Sequence, residues 1–206
     1  MLIFLAQLGL FRYINEMRII AGSKRGMKLL SPKTQDSRPI TDRVKESLFS
    51  VLYKYDLPSG VLVADLFCGV GSLGLEALSR GAAFVTFVEH DPKIIATLNK
   101  NIEKACFIKE SKVIRANAFK IDIAFGPVKE NYGLVFIDPP YLTTQNAQIG
   151  SPLSDLLNLL NDHVAANGIS IVRTNRDVSL LERYGSFITI ERRRWGTMAV
   201  TILKKE

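Results

Sequence analysis

A repeated unit follows residue 59, in which a short continuous apolar run precedes an amphipathic helical pattern. The apolar runs read VLVADLF, AFVTFVE, SKVIRA, GLVFID and GISIVRT. Such runs are typical of strands buried on both faces, because helices cover both sides of a parallel sheet. We therefore predict an α/β fold with a mostly parallel, twisted sheet, and helices over residues 72–80, 92–106 and about 152–165.

The two ends of the chain predict smaller additions to this sheet. At the C-terminus, SFITIERRRWGTMAVTILKK indicates two strands joined at Gly196, an antiparallel hairpin that brings the sheet to seven strands. Near the N-terminus, MRIIAGSKRGMKLL predicts a basic hairpin, and a helix begins at the cap Thr41 and stops before Pro58. The predicted organisation is an extension over residues 1–16, a hairpin and helix appendage over 17–58, and the main domain over 59–206.

Composition excludes several classes of protein. A hydrophobic content of 47% and a charged content of 23% are ordinary for a globular protein, so neither disorder nor a membrane span is indicated. The apolar opening MLIFLAQLGLF is too short to cross a bilayer and lacks the basic start of a signal peptide. Cys68 and Cys106 form no disulfide framework and no metal-ligand spacing, so we expect a cytoplasmic protein without a metal.

The net charge of +7 is concentrated at the two ends of the chain. Residues 1–60 hold ten Lys or Arg against five Asp or Glu, and residues 191–206 hold five against two. If the ends meet on one face, they form a positive patch suited to RNA or DNA. An ordinary solvated surface explains the same charges equally well.

A glycine loop, GVGSLG over residues 69–74, follows the first strand of the main domain. With Glu89 at the end of the next strand, it formally satisfies the dinucleotide fingerprint, although any adenosine cofactor needs the same glycines and acid. Asp65 would repel a pyrophosphate, whereas S-adenosylmethionine carries an ammonium and a sulfonium. The sequence thus favours S-adenosylmethionine over NAD, and the alternative is a tight turn without a ligand.

The tetrapeptide DPPY, residues 138–141, ends another predicted strand of the same sheet. Asp138 would face the cofactor, since ligands bind at the carboxyl ends of parallel strands. Pro139 and Pro140 stiffen the turn and lack amide hydrogens, which leaves nearby carbonyl oxygens available as acceptors. Acceptors could orient an exocyclic base amine and stabilise its developing positive charge, while Tyr141 stacks on the base. The alternative is a proline turn with a solvated aspartate.

Several of these motifs resemble those of a known family. DLFCGVG, VEHD and DPPY resemble the signature motifs of Rossmann-like class I S-adenosylmethionine-dependent methyltransferases. MRIIAGSKRGMKLL followed by RPITDRVKESLF resembles the start of the RsmD-like family, which methylates the N2 of a guanine in 16S ribosomal RNA. The resemblance implies S-adenosylmethionine as the cofactor, and ribosomal RNA or an assembling small subunit as the partner. We expect a monomer with no membrane partner.

The resemblance also implies roles for individual residues. The catalytic set is Asp138, Pro139, Pro140 and Tyr141. The cofactor-binding set is Arg43, Asp65, Phe67, Gly69, Gly71, Glu89, His90, Asn117 and Ala118; an asparagine at position 117 departs from the acid often found there. The RNA-binding set is Arg18, Lys24, Arg25, Lys28, Arg38, Thr41, Arg193, Arg194 and Trp195, with Arg192 beside it.

Three other functions stay open at this point. DPPY also occurs in adenine-N6 DNA methyltransferases, although so short a chain shows no separate target-recognition region. An NAD-dependent oxidoreductase would use GVGSLG but not DPPY, and a non-catalytic RNA-binding protein would keep the pocket only as a relic. The sequence leaves open which nucleotide is modified, whether free RNA or a particle is the substrate, and whether residues 1–16 are translated.

Overall fold

Within residues 17–31, 40–123 and 131–206, which a computed structural model describes, eight strands form one continuous sheet. The strands are β1 Leu62–Leu66, β2 Phe84–Glu89, β3 Ser111–Arg115, β4 Tyr132–Ile137, β5 Val164–Asn175, β6 Arg183–Tyr184, β7 Phe187–Trp195 and β8 Met198–Lys205. They lie in the order β3-β2-β1-β4-β5-β8-β7-β6. The first five in this order are parallel, and β8, β7 and β6 join them antiparallel.

The strand order reverses next to β1, which lies between β2 and β4. From β1 the chain proceeds to β2 on one side, whereas β4, later in the chain, pairs with β1 on the other side. At such a reversal the loops that leave the carboxyl ends of the two central strands diverge, and a crevice opens between them. The fold therefore predicts a ligand site at the carboxyl ends of β1 and β4.

The helices begin where the sequence supplies capping residues. They are α1 Asp42–Leu52, α2 Ser72–Ser79, α3 Pro92–Ala105 and α4 Pro152–Leu159. The side chains of Thr41, Asp91 and Ser151 accept hydrogen bonds from backbone amides in the first turns of α1, α3 and α4. The helices predicted over residues 72–80 and 92–106 are confirmed to within one residue.

The third predicted helix, drawn to about residue 165, ends earlier than we expected. Helix α4 stops at Leu159, a 3₁₀ turn follows, and β5 already begins at Val164. Val164 is fully buried and pairs with Tyr132, and the β4–β5 register then shifts before it becomes regular. Tertiary pairing draws the segment into the sheet, so Gly168 lies inside β5 and does not end the helix.

The C-terminal hairpin is confirmed, with β7 and β8 joined by a turn at Gly196, whose φ is 55°. The sheet has eight strands where we predicted seven, because β6 is a two-residue strand that is too short to leave a periodic pattern. The segment after β5 runs along β7. Arg192 of β7 donates to the carbonyl oxygens of Arg176 and Val178. These hydrogen bonds attach the segment after β5 to the hairpin.

The N-terminal segment forms a short hairpin, with an antiparallel bridge between Arg18 and Lys28. It shares one hydrophobic core with the sheet: Ile19 and Phe49 are fully buried in the cluster that also contains Phe136 of β4. The predicted boundary at residue 58 stays a prediction, and this core crosses it. Residues 1–16 lie outside the described residues.

Neither a membrane-crossing helix nor a metal cluster is found in the described part of the chain. No helix there combines the length and the apolarity that a bilayer requires. No group of three or more His, Cys, Asp or Glu side chains is arranged there to hold a metal ion.

Candidate active site

A cavity of about 250 Å³ opens at the carboxyl ends of the central strands. Its lining consists of Phe67, Val88, Glu89, His90, Ala116, Asn117, Ala118, Phe119, Pro140 and Thr143. Five of these residues belong to the cofactor-binding set that the sequence predicted, and Pro140 belongs to the predicted catalytic set. The turn after β4 and the predicted nucleoside pocket therefore face the same space.

The glycine loop turns sharply from β1 into α2. Gly69 and Gly71 have φ values of 55° and 87°, in the left-handed region that glycine adopts without strain. A Cβ atom at Gly71 would also lie 2.6 Å from Cδ1 of Leu98. Both glycines are required by the turn, and α2 starts directly after it at Ser72, with the amide groups of its first turn at that end.

Phe67 carries a backbone conformation that is uncommon for a side chain of its size. Its φ is 59°, and its ring packs against that of Phe119 at a centroid distance of 4.8 Å. Strained residues of this kind concentrate at functional sites, where the surrounding structure imposes the conformation. Together the two rings provide an apolar wall of the cavity, and Phe119 is one of the lining residues that sequence reasoning missed.

Asp65 lies beneath the glycine loop and not at the cavity surface. It is 1% exposed, and its Oδ2 accepts a hydrogen bond from the backbone amide of Gly74 at 2.8 Å. Burial, assisted by the nearby charges of Asp138 and Glu89, raises the pKa of Asp65 to about 8, although the hydrogen bond from the Gly74 amide opposes the rise. Asp65 is therefore mostly protonated at neutral pH while no cation lies beside it.

Glu89 connects the glycine loop to the loop after β2. Its Oε2 accepts from the amide of Gly69 at 3.1 Å, and its Oε1 accepts from the amides of His90 and Asp91 at 2.8 and 3.0 Å. The Nδ1 atom of His90 lies 2.9 Å from the same Oε1. Three backbone amides thus orient the carboxylate at the rim of the cavity, which is the position predicted for a ribose acceptor.

Asn117 and Ala118 also line the cavity, after the end of β3. The side-chain oxygen of Asn117 accepts from the amide of Phe119 at 3.0 Å, which closes a local turn. A carbonyl oxygen has two lone pairs, so this contact leaves capacity for a second hydrogen bond. The described residues that line the cavity do not include Asp65, Gly69 or Gly71, and Arg43 is exposed on α1.

The DPPY turn lies at the end of β4, next to the end of β1. The amide of Asp138 donates to the carbonyl oxygen of Leu66 at 3.3 Å, which ties the turn to β1. The carbonyl oxygen of Pro140 accepts from the amide and the hydroxyl of Thr143, at 3.0 and 2.7 Å. These contacts fix the turn so that the Asp138 side chain, which is 20% exposed, remains at the sheet edge.

Arg173, which sequence reasoning missed, is the charged partner of Asp138. Its Nε lies 2.5 Å from Oδ1 of Asp138, as a charge pair rather than a well-aligned hydrogen bond, and its Cζ lies 5.9 Å from the ring centre of Tyr141. Burial raises the pKa of Asp138, and the Arg173 guanidinium opposes that rise. The available signal was a single charged residue, Arg173, in the otherwise uncharged run GISIVRT, because a buried charge requires a partner.

Part of the predicted RNA-binding set lies at the same edge of the sheet as this turn. Trp195 pairs with Met198, which also pairs with Asn175 at the end of β5, so the β7–β8 turn stands at the carboxyl edge of the sheet. Arg193 forms an ion pair with Glu191 at 2.5 Å, and Arg194 is exposed. Residues 193–195 therefore flank the same edge as Asp138.

The N-terminal members of the set lie elsewhere. The amide of Lys24 donates to Oγ of Ser79 at 2.9 Å, so the hairpin tip rests on the end of α2 that is remote from the cavity. Arg18 pairs with Asp42 at 2.7 Å, and Arg25 lies at the same hairpin tip. Thr41 caps α1, Lys28 lies in the bridge to Arg18, and Arg38 lies outside the described residues. Among the described residues, the hairpin tip with Lys24 and the β7–β8 turn with Arg194 therefore lie at different places on the fold.

Comparisons with known proteins agree with this geometry. The family model described as conserved hypothetical protein 95 matches residues 17–204. "Putative rRNA methyltransferase YlbH" of Bacillus subtilis is 34% identical over 191 residues, covering 92% of this chain and 99% of the relative. "Ribosomal RNA small subunit methyltransferase D" of Haemophilus influenzae is 38% identical over 168 residues, covering 81% and 82%. The solved structure of "Putative methyltransferase yhhF" from Escherichia coli is 31% identical, with a TM-score of 0.75, and the match covers 93% of this chain and 98% of that one.

Proposed function

This chain belongs to the family described as conserved hypothetical protein 95, and from that premise we propose that it transfers a methyl group from S-adenosylmethionine to the N2 amine of a guanine in 16S ribosomal RNA. The relatives named as ribosomal RNA small subunit methyltransferases support the reaction and the substrate class. The choice of guanine N2 rests on the resemblance of the N-terminal motifs.

The proposal depends mainly on one observation: predicted cofactor-binding residues and the DPPY turn line the same cavity. Pro140 and Thr143 line it together with Phe67 and Glu89. A methyl transferase requires this proximity, because the acceptor atom must come within bonding distance of the donor carbon. An NAD-dependent oxidoreductase would have no use for an acidic proline turn at that place.

The residues present fit S-adenosylmethionine. The rings of Phe67 and Phe119 can cover an adenine, and the fixed carboxylate of Glu89 can accept hydrogen bonds from ribose hydroxyls. Asp65, buried behind the loop, would ionise beside an ammonium, whereas a pyrophosphate would keep it protonated. When bound, this cofactor supplies an electrophilic methyl group on a cationic sulfur.

The chain's own part in the reaction is to hold and activate the base amine. Such an amine is a weak nucleophile, because its lone pair is delocalised into the ring. The Asp138 carboxylate can accept one of its hydrogens and stabilise the positive charge that develops on nitrogen. Tyr141 offers a ring on which the base can stack, worth about 1–3 kcal/mol in comparable contacts with single strands.

RNA contacts at the carboxyl edge complete the proposal. Arg193, Arg194 and Trp195 lie at the same edge of the sheet as the DPPY turn and suit phosphate and base contacts around the target nucleotide. Lys24, Arg25 and Lys28 could contact a second, distant part of a large RNA, in the way that phosphate contacts position a substrate without reading its sequence.

The test compares acceptors and then compares variants. Methyl transfer from labelled S-adenosylmethionine is measured with naked 16S RNA, partly assembled small subunits and duplex DNA, and the modified nucleoside is identified by mass spectrometry. We expect N2-methylguanosine in RNA. DNA as the best acceptor, or calorimetry that shows binding of nicotinamide cofactor but not of S-adenosylmethionine, would overturn the proposal.

The variant Asp138→Asn separates catalysis from binding. We expect it to bind the cofactor and RNA with unchanged affinity while losing turnover by about 100-fold or more. Asp177→Asn is the matched control, since that side chain is 87% exposed. Full turnover in Asp138→Asn would remove Asp138 from the mechanism.

A further inference from the structure

The pair formed by Arg173 and Asp138 is set by the sheet itself. Strands β4 and β5 are parallel and in register, with Ile137 opposite Val172, so the next residue of each strand is Asp138 and Arg173 respectively. Arg173 is held from its other side as well, because it pairs with Val200 of β8. The backbone of Arg173 is therefore held between two strands, which fixes the point from which its side chain reaches the carboxylate.

The pair is largely removed from water. The Arg173 side chain is 15% exposed and that of Asp138 is 20% exposed, while Nε and Oδ1 are 2.5 Å apart. A carboxylate in such a place loses hydration and tends to take up a proton unless a cation stays close. Without charge on Asp138, the turn could not stabilise a developing ammonium on the base.

The contact with Arg173 makes the two carboxylate oxygens of Asp138 different from each other. Oδ1 faces Arg173, and in the proposed reaction Oδ2 would accept the hydrogen bond from the amine of the substrate. The same guanidinium lies 5.9 Å from the ring centre of Tyr141, at a distance typical of a cation–π contact. One side chain thus touches both the acid and the aromatic ring of the catalytic turn.

We propose that Arg173 is a positioning residue, which keeps the Asp138 carboxylate ionised and turned so that one oxygen faces the substrate amine. This inference rests on the proposed function. It adds a residue that contacts neither base nor cofactor and acts through Asp138.

One other charged group faces Asp138 from a neighbouring strand. Asp65 on β1 is close enough that the charge of Asp138 raises the pKa of Asp65. The pKa of Asp65 is shifted by burial, by the Gly74 amide, and by the charges of Asp138 and Glu89. Arg173 is not among these causes. A change in the pH profile caused by a substitution of Arg173 therefore reports mainly on Asp138.

The experiment measures kcat and KM for methyl transfer to RNA in wild type, Arg173→Gln and Arg173→Lys between about pH 5.5 and 9. In Arg173→Gln we expect kcat at neutral pH to fall about 10- to 100-fold, less than the loss of a directly acting group, with KM for the cofactor unchanged. The acid limb of kcat should move to higher pH, because the guanidinium no longer opposes the burial that raises the pKa of Asp138. Arg173→Lys should restore most of the limb, since it restores the charge.

Arg183→Gln is the matched control, because Arg183 forms an exposed ion pair with Glu206 at 2.7 Å, far from the turn. Thermal unfolding and cofactor binding show whether each variant is folded. If Arg173→Gln fails to fold, the acid limb of kcat is compared between Arg173→Lys and wild type. A limb that is fully displaced in Arg173→Lys would then refute the positioning role.

The outcomes are distinct. Wild type without methyl transfer to any RNA would refute the proposed function. An active wild type whose pH limb is unchanged in Arg173→Gln, or a variant that is faster than wild type, would refute only the positioning role. A limb displaced equally in Arg173→Gln and Arg173→Lys would also refute it, because the charge would then be irrelevant.

Discussion

Replacing Asp65 with asparagine should change how the stability of the protein depends on pH. The carboxyl group is 1% exposed, accepts one hydrogen bond from Gly74, and has a pKa of about 8 in the folded chain instead of the ordinary 3.8. An unfolded chain ionises this group near its ordinary pKa. Folding at neutral pH therefore requires Asp65 to take up a proton.

The sign and the magnitude follow from this difference. For an acid whose folded pKa is raised, the penalty is absent below about pH 4, grows with pH, and is complete above about pH 8. The free energy of unfolding should fall by about 1.4 kcal/mol per pH unit in that window, or about 3 to 4 kcal/mol between pH 5 and pH 8. This is an upper value, because neighbouring groups relax around a buried charge.

Asparagine keeps a side-chain oxygen that can accept from Gly74 but has no proton to release in this range. The assay is urea unfolding of the cofactor-free protein at about pH 5 and pH 8 for wild type and Asp65→Asn. We expect the variant to gain stability relative to wild type by about 3 to 4 kcal/mol as the pH rises. The comparison between the two pH values cancels any constant effect of the substitution on packing.

Asp177→Asn, at an exposed site, should keep the wild-type pH dependence. A stability difference between Asp65→Asn and wild type that is the same at both pH values would refute the reasoning. It would mean that Asp65 is ionised in the folded chain and that burial is compensated by contacts other than the Gly74 amide.

Three further predictions concern packing, buried charge and RNA. Glu76→Gln should lower the free energy of unfolding, measured by urea titration, by about 3–5 kcal/mol, because that fully buried carboxylate pairs with two cations. The control Glu206→Gln, at an exposed ion pair, should change the same free energy by less than about 1 kcal/mol. Gly74→Ala should lower the free energy of unfolding by about 1–3 kcal/mol, since the added Cβ would lie 2.3 Å from Cε1 of Phe87. An unchanged midpoint of thermal unfolding would contradict this. Arg194→Gln should reduce the slope of log affinity for RNA against log salt by about 1, measured by filter binding, and an unaltered slope would exclude a phosphate contact.

Local patterns of residue types were sufficient for much of this protein. Continuous apolar runs and capping residues determine strands and helices through neighbouring positions, so the parallel sheet, α2 and α3 were predictable from the sequence. The glycine loop and DPPY could be placed at one sheet edge for the same reason, because successive parallel strands present their carboxyl ends on the same side.

Contacts between distant segments required the tertiary structure. Val164 enters β5 only because Tyr132 pairs with it, and β6 exists only because β7 provides its partner. The Arg173–Asp138 pair depends on the register of β4 and β5, and the separation of Lys24 from Arg194 depends on where each hairpin packs. The sequence by itself determined the elements and the chemistry at their ends, whereas packing decided which charges face one another, since burial and electrostatic partners arise only when remote strands meet.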